Sequence, residues 1–512
     1  MRRLRRFFPI LGTILLCLAL LLVLFVHQWN LGTSPRGLFS DEASIGLNAQ
    51  MMAQYGMDEF GTATPLYFEA FGEYKNPVYI YALAGVLQAF PLHDISVRGM
   101  SFLFFTGILL LWMILAHRLW HHRGLVVLHV LLLGLSPWLF TLSRVSFEAI
   151  SFVFFYLSFV LCLFSLYKCK NSRFGTVFLL SVLSVLCAGL SWYSYSTARL
   201  LIPWSVLSAC ILLLRAKPWY VPIGLLGGFG LTLLPAYGLF SSGDTVLLGR
   251  FEQISYLFDP GRTPWETGLQ FVQTYASYFS PDFHLWRGDM NLRHHAGPAG
   301  MSSYLLYLSM GWGVILTLLR GKKATAFDRW MLLELLMAPV AASLTEPGHA
   351  IRVISMIIPM MYFAGATFAD LARRVGEWRI PLGTLLLCGI LLEAAIFLPY
   401  ALGAYTQHSV RHFMTFGTEE AVRAVHARGY PLLLMDRNLF EANVIASYYT
   451  EVLDNQLTIT SGISEQYIKN IRSPFCFLAK HRAYSAAEGP VRGDGASIPL
   501  DVRSSLRLTC FP

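Results

Sequence analysis

Charge is what this chain has least of. Only 13% of its 512 residues are charged and 55% are hydrophobic, whereas a soluble globular chain carries about 25% charge. That excludes an ordinary soluble domain. Cysteine is also sparse: eight residues, none at metal-ligand spacing, which excludes a zinc-knuckle scaffold. Cys17, Cys162, Cys187, Cys210 and Cys388 lie in apolar runs and read as small core hydrophobes. Internal repeats and low-complexity tracts are absent. The net charge of +9 does not indicate nucleic acid, because the basic residues cluster at the ends of apolar runs.

What is present is a series of apolar runs near 20 residues long, the mark of a polytopic helical membrane protein. Spans are expected at 7–26, 99–116, 124–142, 149–167, 174–193, 200–214, 219–240, 302–319, 329–345, 351–369 and 380–400. The N-terminal MRRLRR and the run after it read as a retained first span with its basic end in the cytoplasm, since the run exceeds a signal-peptide core and no small-residue cleavage site follows. The run Pro77–Pro91 is ambiguous: as a helix its interior covers only about 20 Å, short of a core of about 30 Å. If it does not cross, the basic segments 117–123, 168–173, 215–217, 320–323 and 373–379 all fall on the side of the N-terminus, as the positive-inside rule requires. The expectation is therefore an interfacial helix at 77–91, about 11 transmembrane helices, and a C-terminus outside.

Residues 1–400 form the membrane module, with a first outer loop at 27–98 and a long outer loop at 241–301; residues 401–512 read as a small extracytoplasmic α/β domain. In that domain 417–429 has helix signals, with Thr418 as N-cap and Gly429 as stop, and 430–436 reads as a buried strand. Cys476 and Cys510 are its only cysteines. Outside the cytoplasm they are either a disulfide or two unrelated buried thiols. In the long loop His294 and His295 read as a surface pair, because no third ligand has suitable spacing, so no metal site is assigned.

The outer face collects the unusual polar residues. Charge at such depth is functional or paired. Asp41 and Glu42 follow the first span directly; Lys75, Arg98, Arg144, Arg199 and Arg352 supply cations at other outer boundaries, with Glu148 and His349 beside them. This set suits attack by a hydroxyl or amine on the anomeric carbon of a sugar held on a lipid phosphate. A carboxylate serves as base and the cations receive the departing phosphate. Each residue also has a purely structural reading. Asp41 is then a helix N-terminal charge, Lys75 an interface anchor, and Arg98 and Arg144 pair with Asp94 and Glu148.

The order of motifs carries a resemblance. FSDEASIGLNAQ (39–50), FGEYKNPVYIYAL (71–83), an Arg opening the next span and S-R-x-x-x-E at 143–148 together resemble the GT-C glycosyltransferases, including protein O-mannosyltransferases, the aminoarabinose transferases of lipid A and bacterial family-39-type relatives. The resemblance implies a GT-C fold over residues 1–400. It also implies a polyprenyl-phosphate sugar donor in the plasma (inner) membrane and inverting transfer to an extracytoplasmic acceptor, whether lipid, glycan or protein. By it Asp41 is the base, with Glu42 beside it, Lys75 lies near the donor phosphate, and Arg98 matches an arginine of the mannosyltransferases. The resemblance assigns no definite cofactor and leaves room for a divalent metal; Tyr74 stands where the aminoarabinose enzymes carry a metal-site glutamate, and Glu73 is one residue away. An oligosaccharide ligase or polymerase is the alternative. A membrane transporter is a more remote one, since transporters place ionisable groups near the midplane and often carry inverted repeats.

Overall fold

The computed structural model describes residues 2–511 apart from 172, 242–248, 298, 377–378, 410–416, 436–438, 440, 454–456, 462–473, 481–495 and 499–505. All eleven expected spans are helical. Seven helices among the described residues are long and apolar enough to cross a membrane: Leu11–Gln28, Asp94–Trp120, Ala149–Lys168, Phe174–Trp192, Tyr304–Lys323, Ile351–Arg374 and Ile380–His408. The other four spans are shorter or broken. Three of them break where proline interrupts the hydrogen-bond ladder: Pro137 after Arg123–Gly134, Pro235 after Tyr220–Thr232, and Pro339 after Ala326–Met337. The fourth is Ala198–Leu214. The chain is a multi-pass membrane protein.

Burial orders the bundle. Ile351–Arg374 has 94% of its apolar window buried, against 17% for Leu11–Gln28 and 22% for Ile380–His408, so the first is the central post and the others line the rim. Gly313 lets its helix touch the post: a Cβ there would lie 2.0 Å from the Phe363 carbonyl oxygen, the close backbone approach that small residues permit. Cys17 and Cys388 are exposed on rim helices, so these two are outward-facing rather than core residues.

The basic segments converge at one end. Arg118, Lys168, Arg173, Arg320 and Arg373 line a single cavity of about 810 Å³, and Lys217 donates to the Cys169 carbonyl and to Asn171 Oδ1. The stretch 77–91 lies at the other end. Its helix, Pro77–Leu87, has 11 residues and reaches only about 16 Å. Asn76, just before it, bonds to Glu148. Tyr79 donates to the Val97 carbonyl and lies 2.8 Å from Ser101 Oγ. The chain thus enters and leaves this helix on one side of the bundle, as its length required.

The C-terminal region holds a five-stranded mixed sheet in the order Thr458–Ser461, Leu432–Met435, Phe475–Lys480, Leu506–Phe511, Ala496–Ile498. The first two pairings are parallel and the last two antiparallel. Helices Thr418–Ala427 and Ala442–Val452 accompany it; Gly417 rather than Thr418 occupies the cap position of the former. Cys476 and Cys510 face each other on neighbouring strands and are joined by a disulfide. Helix Ala442–Val452 packs on the starts of two helices: Tyr448 and Tyr449 donate to the carboxylate of Asp94, which opens Asp94–Trp120, and Ser40, which opens Ser40–Tyr55, bonds through Oγ to Glu441.

Candidate functional site

Helix Ser40–Tyr55 starts directly after the turn that follows the first span, and adjacent residues on a helix point about 100° apart. Asp41 and Glu42 therefore face different surroundings. Glu42 is fully buried. Its Oε1 accepts from Arg98 Nε and Ser146 N, each at 3.0 Å, and its Oε2 from Arg98 Nη2 at 3.0 Å and Phe39 N at 3.1 Å. The same guanidinium donates to the carbonyls of Pro35 at 2.7 Å and Gly37 at 2.6 Å.

Arg144 works in parallel. It donates to the carbonyls of His27 at 2.7 Å, Trp29 at 2.6 Å and Ser34 at 3.2 Å. Both arginines are buried and occupied by the backbone between the first span and Asp41. The sequence reading gives each of them to a ligand; here both guanidinia serve the turn 26–37, whose carbonyls lack helix or strand partners and need donors when buried. The Arg98–Asp94 and Arg144–Glu148 pairings are also replaced, since Arg98 binds Glu42 and Glu148 binds Asn76.

Asp41 faces the other way. Its side chain keeps 33% exposure and forms an ion pair with Lys75, whose side chain is 11% exposed. Lys75 ends a two-stranded antiparallel hairpin, Phe68–Ala70 with Glu73–Lys75. The connecting Phe71 and Gly72 both have positive φ, as a two-residue hairpin turn of matching twist requires. The hairpin aims the ammonium at Asp41. Burial pushes the Asp41 carboxyl upward, but Lys75, then Arg293 and Arg250, outweigh it and hold the group below its ordinary value. Burial likewise works against the Lys75 ammonium, yet Asp41 and Glu148 keep its value raised.

Around this pair lies a second tier. Glu148 accepts from Asn76 N at 2.6 Å and Asn76 Nδ2 at 2.8 Å. Burial pushes Glu148 up to about 7 against the opposing pull of Lys75 and Asn76. Arg199 Nη2 donates to Asn76 Oδ1 at 3.0 Å and its guanidinium lies over the Tyr67 ring. Arg352 donates to Thr345 Oγ1 at 2.7 Å. His349 N donates to Tyr278 Oη at 3.3 Å.

Three residues of this site escape sequence reading. Asn76 bonds both Glu148 and Arg199. Arg250 pairs with Glu73. Arg293, within the aromatic-rich part of the long loop, lies 4.1 Å from the centre of the Phe39 ring and is one of the cations acting on Asp41.

A metal next to Lys75 does not fit, since Glu73 is taken by Arg250 and Tyr74 is not a carboxylate. One group of three potential metal ligands exists among the described residues, Asp289, His294 and His349. His294 and His295 are buried rather than a surface pair, because the long loop folds back on the bundle.

No protein-family model matches this sequence, and no curated protein matches it. Solved structures share its fold. ArnT from Cupriavidus metallidurans in the apo state gives a TM-score of 0.58 at 11% identity, covering 97% of this chain and 97% of that one. ArnT bound to undecaprenyl phosphate gives 0.58 at 12% identity, again with 97% of each chain covered. The archaeal oligosaccharyltransferase AglB from Archaeoglobus fulgidus, in complex with an inhibitory peptide and a dolichol-phosphate, gives 0.51 at 12% identity, covering 87% of this chain and 64% of that one. The chain thus has the GT-C fold.

Proposed function

We propose that this protein is an integral membrane glycosyltransferase that moves a sugar from a polyprenyl-phosphate donor to an extracytoplasmic acceptor. The observation that carries the reading is the Asp41–Lys75 ion pair at the end of the bundle remote from the basic loops. Positive loops mark the cytoplasmic side, so the pair faces outward. The neighbouring fold of ArnT, solved with undecaprenyl phosphate, supports a lipid-phosphate donor here.

The geometry suggests how the residues divide the work. Before donor binds, Lys75 neutralises Asp41 and keeps it a weak base. An incoming phosphate competes for the ammonium and draws it off the carboxylate. Asp41 then regains basicity beside the sugar, where it accepts the proton of the attacking hydroxyl or amine. The new bond forms at the anomeric carbon as the bond to the phosphate oxygen breaks, with inversion. The electron pair leaves on polyprenyl phosphate, and Lys75 with Arg250, Arg293, Arg199 and Arg352 stabilises the growing charge. Glu148 and Asn76 hold Arg199 and the start of helix Pro77–Leu87 in place, and Glu42 with Arg98 and Arg144 holds the turn that presents Asp41.

The test is incubation of purified protein with a panel of polyprenyl-phosphate sugars and total envelope lipid and glycan, scoring free polyprenyl phosphate. Release that depends on both a particular sugar and an acceptor fraction is the expected result. Uptake of intact donor into vesicles without release would indicate a transporter.

A further inference from the structure

We propose a second, separate site: a divalent transition-metal centre built from Asp289, His294 and His349 that pins the long outer loop to the entrance of the central helix. One ligand atom from each residue lies within 4.8 Å of the others. In a tetrahedral site with bonds of about 2.0–2.1 Å, ligand atoms stand about 3.4 Å apart, so side-chain rotation of about an ångström closes the set. Asp289 and His294 are buried.

Two further observations point to an ion. His349 Nδ1 is buried and has no hydrogen-bond partner, although a buried imidazole nitrogen ordinarily finds one. It stands beside His294, with ring centres 4.5 Å apart. In addition, the carboxylate is held as outer-shell contacts hold a metal ligand. Two backbone amides hold it: Asp289 Oδ1 accepts from Asn291 N at 2.8 Å and Oδ2 from Ala350 N at 2.8 Å. The 2.8 Å contact of Oδ2 with His294 Nδ1 joins two of the ligands themselves and is exchanged for bonds to the ion.

Two imidazoles and one carboxylate suit Zn²⁺ and its neighbours in the first transition row, not Mg²⁺ or Ca²⁺, which take oxygen. The consequence for the outer face is positional. Arg293 precedes a ligand directly and sits over Phe39, two residues before Asp41. Fixing His294 to His349 fixes the loop that carries that cation.

The test uses full-length protein in detergent, with any affinity tag removed, stripped by chelator and titrated with Co²⁺, followed by elemental analysis after reloading with Zn²⁺. One ion per chain and the visible bands of low-coordinate Co²⁺ are expected. His349→Ala and Asp289→Asn should lose more than the roughly 10–100-fold in affinity that outer-shell changes cost; His426→Ala, an exposed histidine elsewhere, should bind as wild type. His349→Cys covers the case of a misfolded alanine variant. It should keep the ion and add a sulfur-to-cobalt charge-transfer band. Absence of stoichiometric uptake, uptake unchanged in Asp289→Asn, or Co²⁺ bound to His349→Cys without that band would overturn the site.

Discussion

Replacing Glu42 by Gln should damage the fold and not the chemistry. Glu42 and Arg98 form a pair with no exposure on either side chain. Gln keeps the size but cannot accept four hydrogen bonds through two charged oxygens, and it leaves the guanidinium buried with carbonyls alone. Breaking a buried pair in this way costs about 3–5 kcal/mol. Arg98→Met should cost a similar amount by stranding the carboxylate, which Phe39 N and Ser146 N only partly satisfy. The double variant Glu42→Met with Arg98→Met strands no charge. It should therefore be less destabilised than the sum of the single changes, with a coupling of about 0.5–3 kcal/mol. The assay is unfolding of the purified protein in detergent by heat and by denaturant, with polyprenyl-phosphate affinity measured on the folded fraction. Affinity of that fraction should stay near wild type. Wild-type stability in Glu42→Gln, or additive losses in the double variant, would refute the structural assignment and return Arg98 to the ligand.

Lys75→Ala should weaken binding of polyprenyl phosphate whatever sugar it carries, by about 1.5–3 kcal/mol for a charge-assisted contact; unchanged affinity in a titration would reduce Lys75 to an interface anchor. Glu148 has a folded value of about 7, above its ordinary value, so the fold holds a proton that the unfolded chain releases between those values. Stability from this group is full below its ordinary value and lost as pH rises through about 7. Unfolding midpoints at acidic and neutral pH should differ less in Glu148→Gln than in wild type, and equal slopes would argue against burial as the cause. Single cysteines at Glu73 and at His93, in a background without the six free thiols, should react with an impermeant reagent from the same outer side; labelling from opposite faces would mean that Pro77–Leu87 crosses the membrane.

Much of this architecture was legible because it is written in long-range averages. Apolar runs carried the spans, and the basic loops carried the separation of 77–91 from the basic end of the bundle. The alternation of helix and strand signals after residue 400 carried the α/β character, while the two cysteines left open whether they are bridged, which the strand pairing decides. Asp41 and Lys75 were singled out by a motif resemblance, but their direct ion pair was not expected from it. The turn that achieves it, with Phe71 at φ 57°, has no signal in side-chain pattern. What was not legible is the backbone role of the buried arginines. Arg98 and Arg144 look identical to phosphate-binding residues in sequence, because nothing in a linear pattern tells which backbone carbonyls will be left without donors in the turn 26–37. For the same reason Asn76 and Arg293 were invisible: their roles depend on how two loops fold back over one helix end. His294 read as surface because its carboxylate partner lies five residues away on a turn, outside any helical or strand spacing.

The central claim is that Asp41 is the base and the cations hold the lipid phosphate. The direct measurement is Asp41→Asn, assayed for both donor binding and turnover with the donor and acceptor fractions that wild type accepts. The account predicts turnover lower by about 100-fold or more, with polyprenyl-phosphate affinity retained or increased, since Lys75 loses the carboxylate that competes with the phosphate. Full turnover in Asp41→Asn would contradict it.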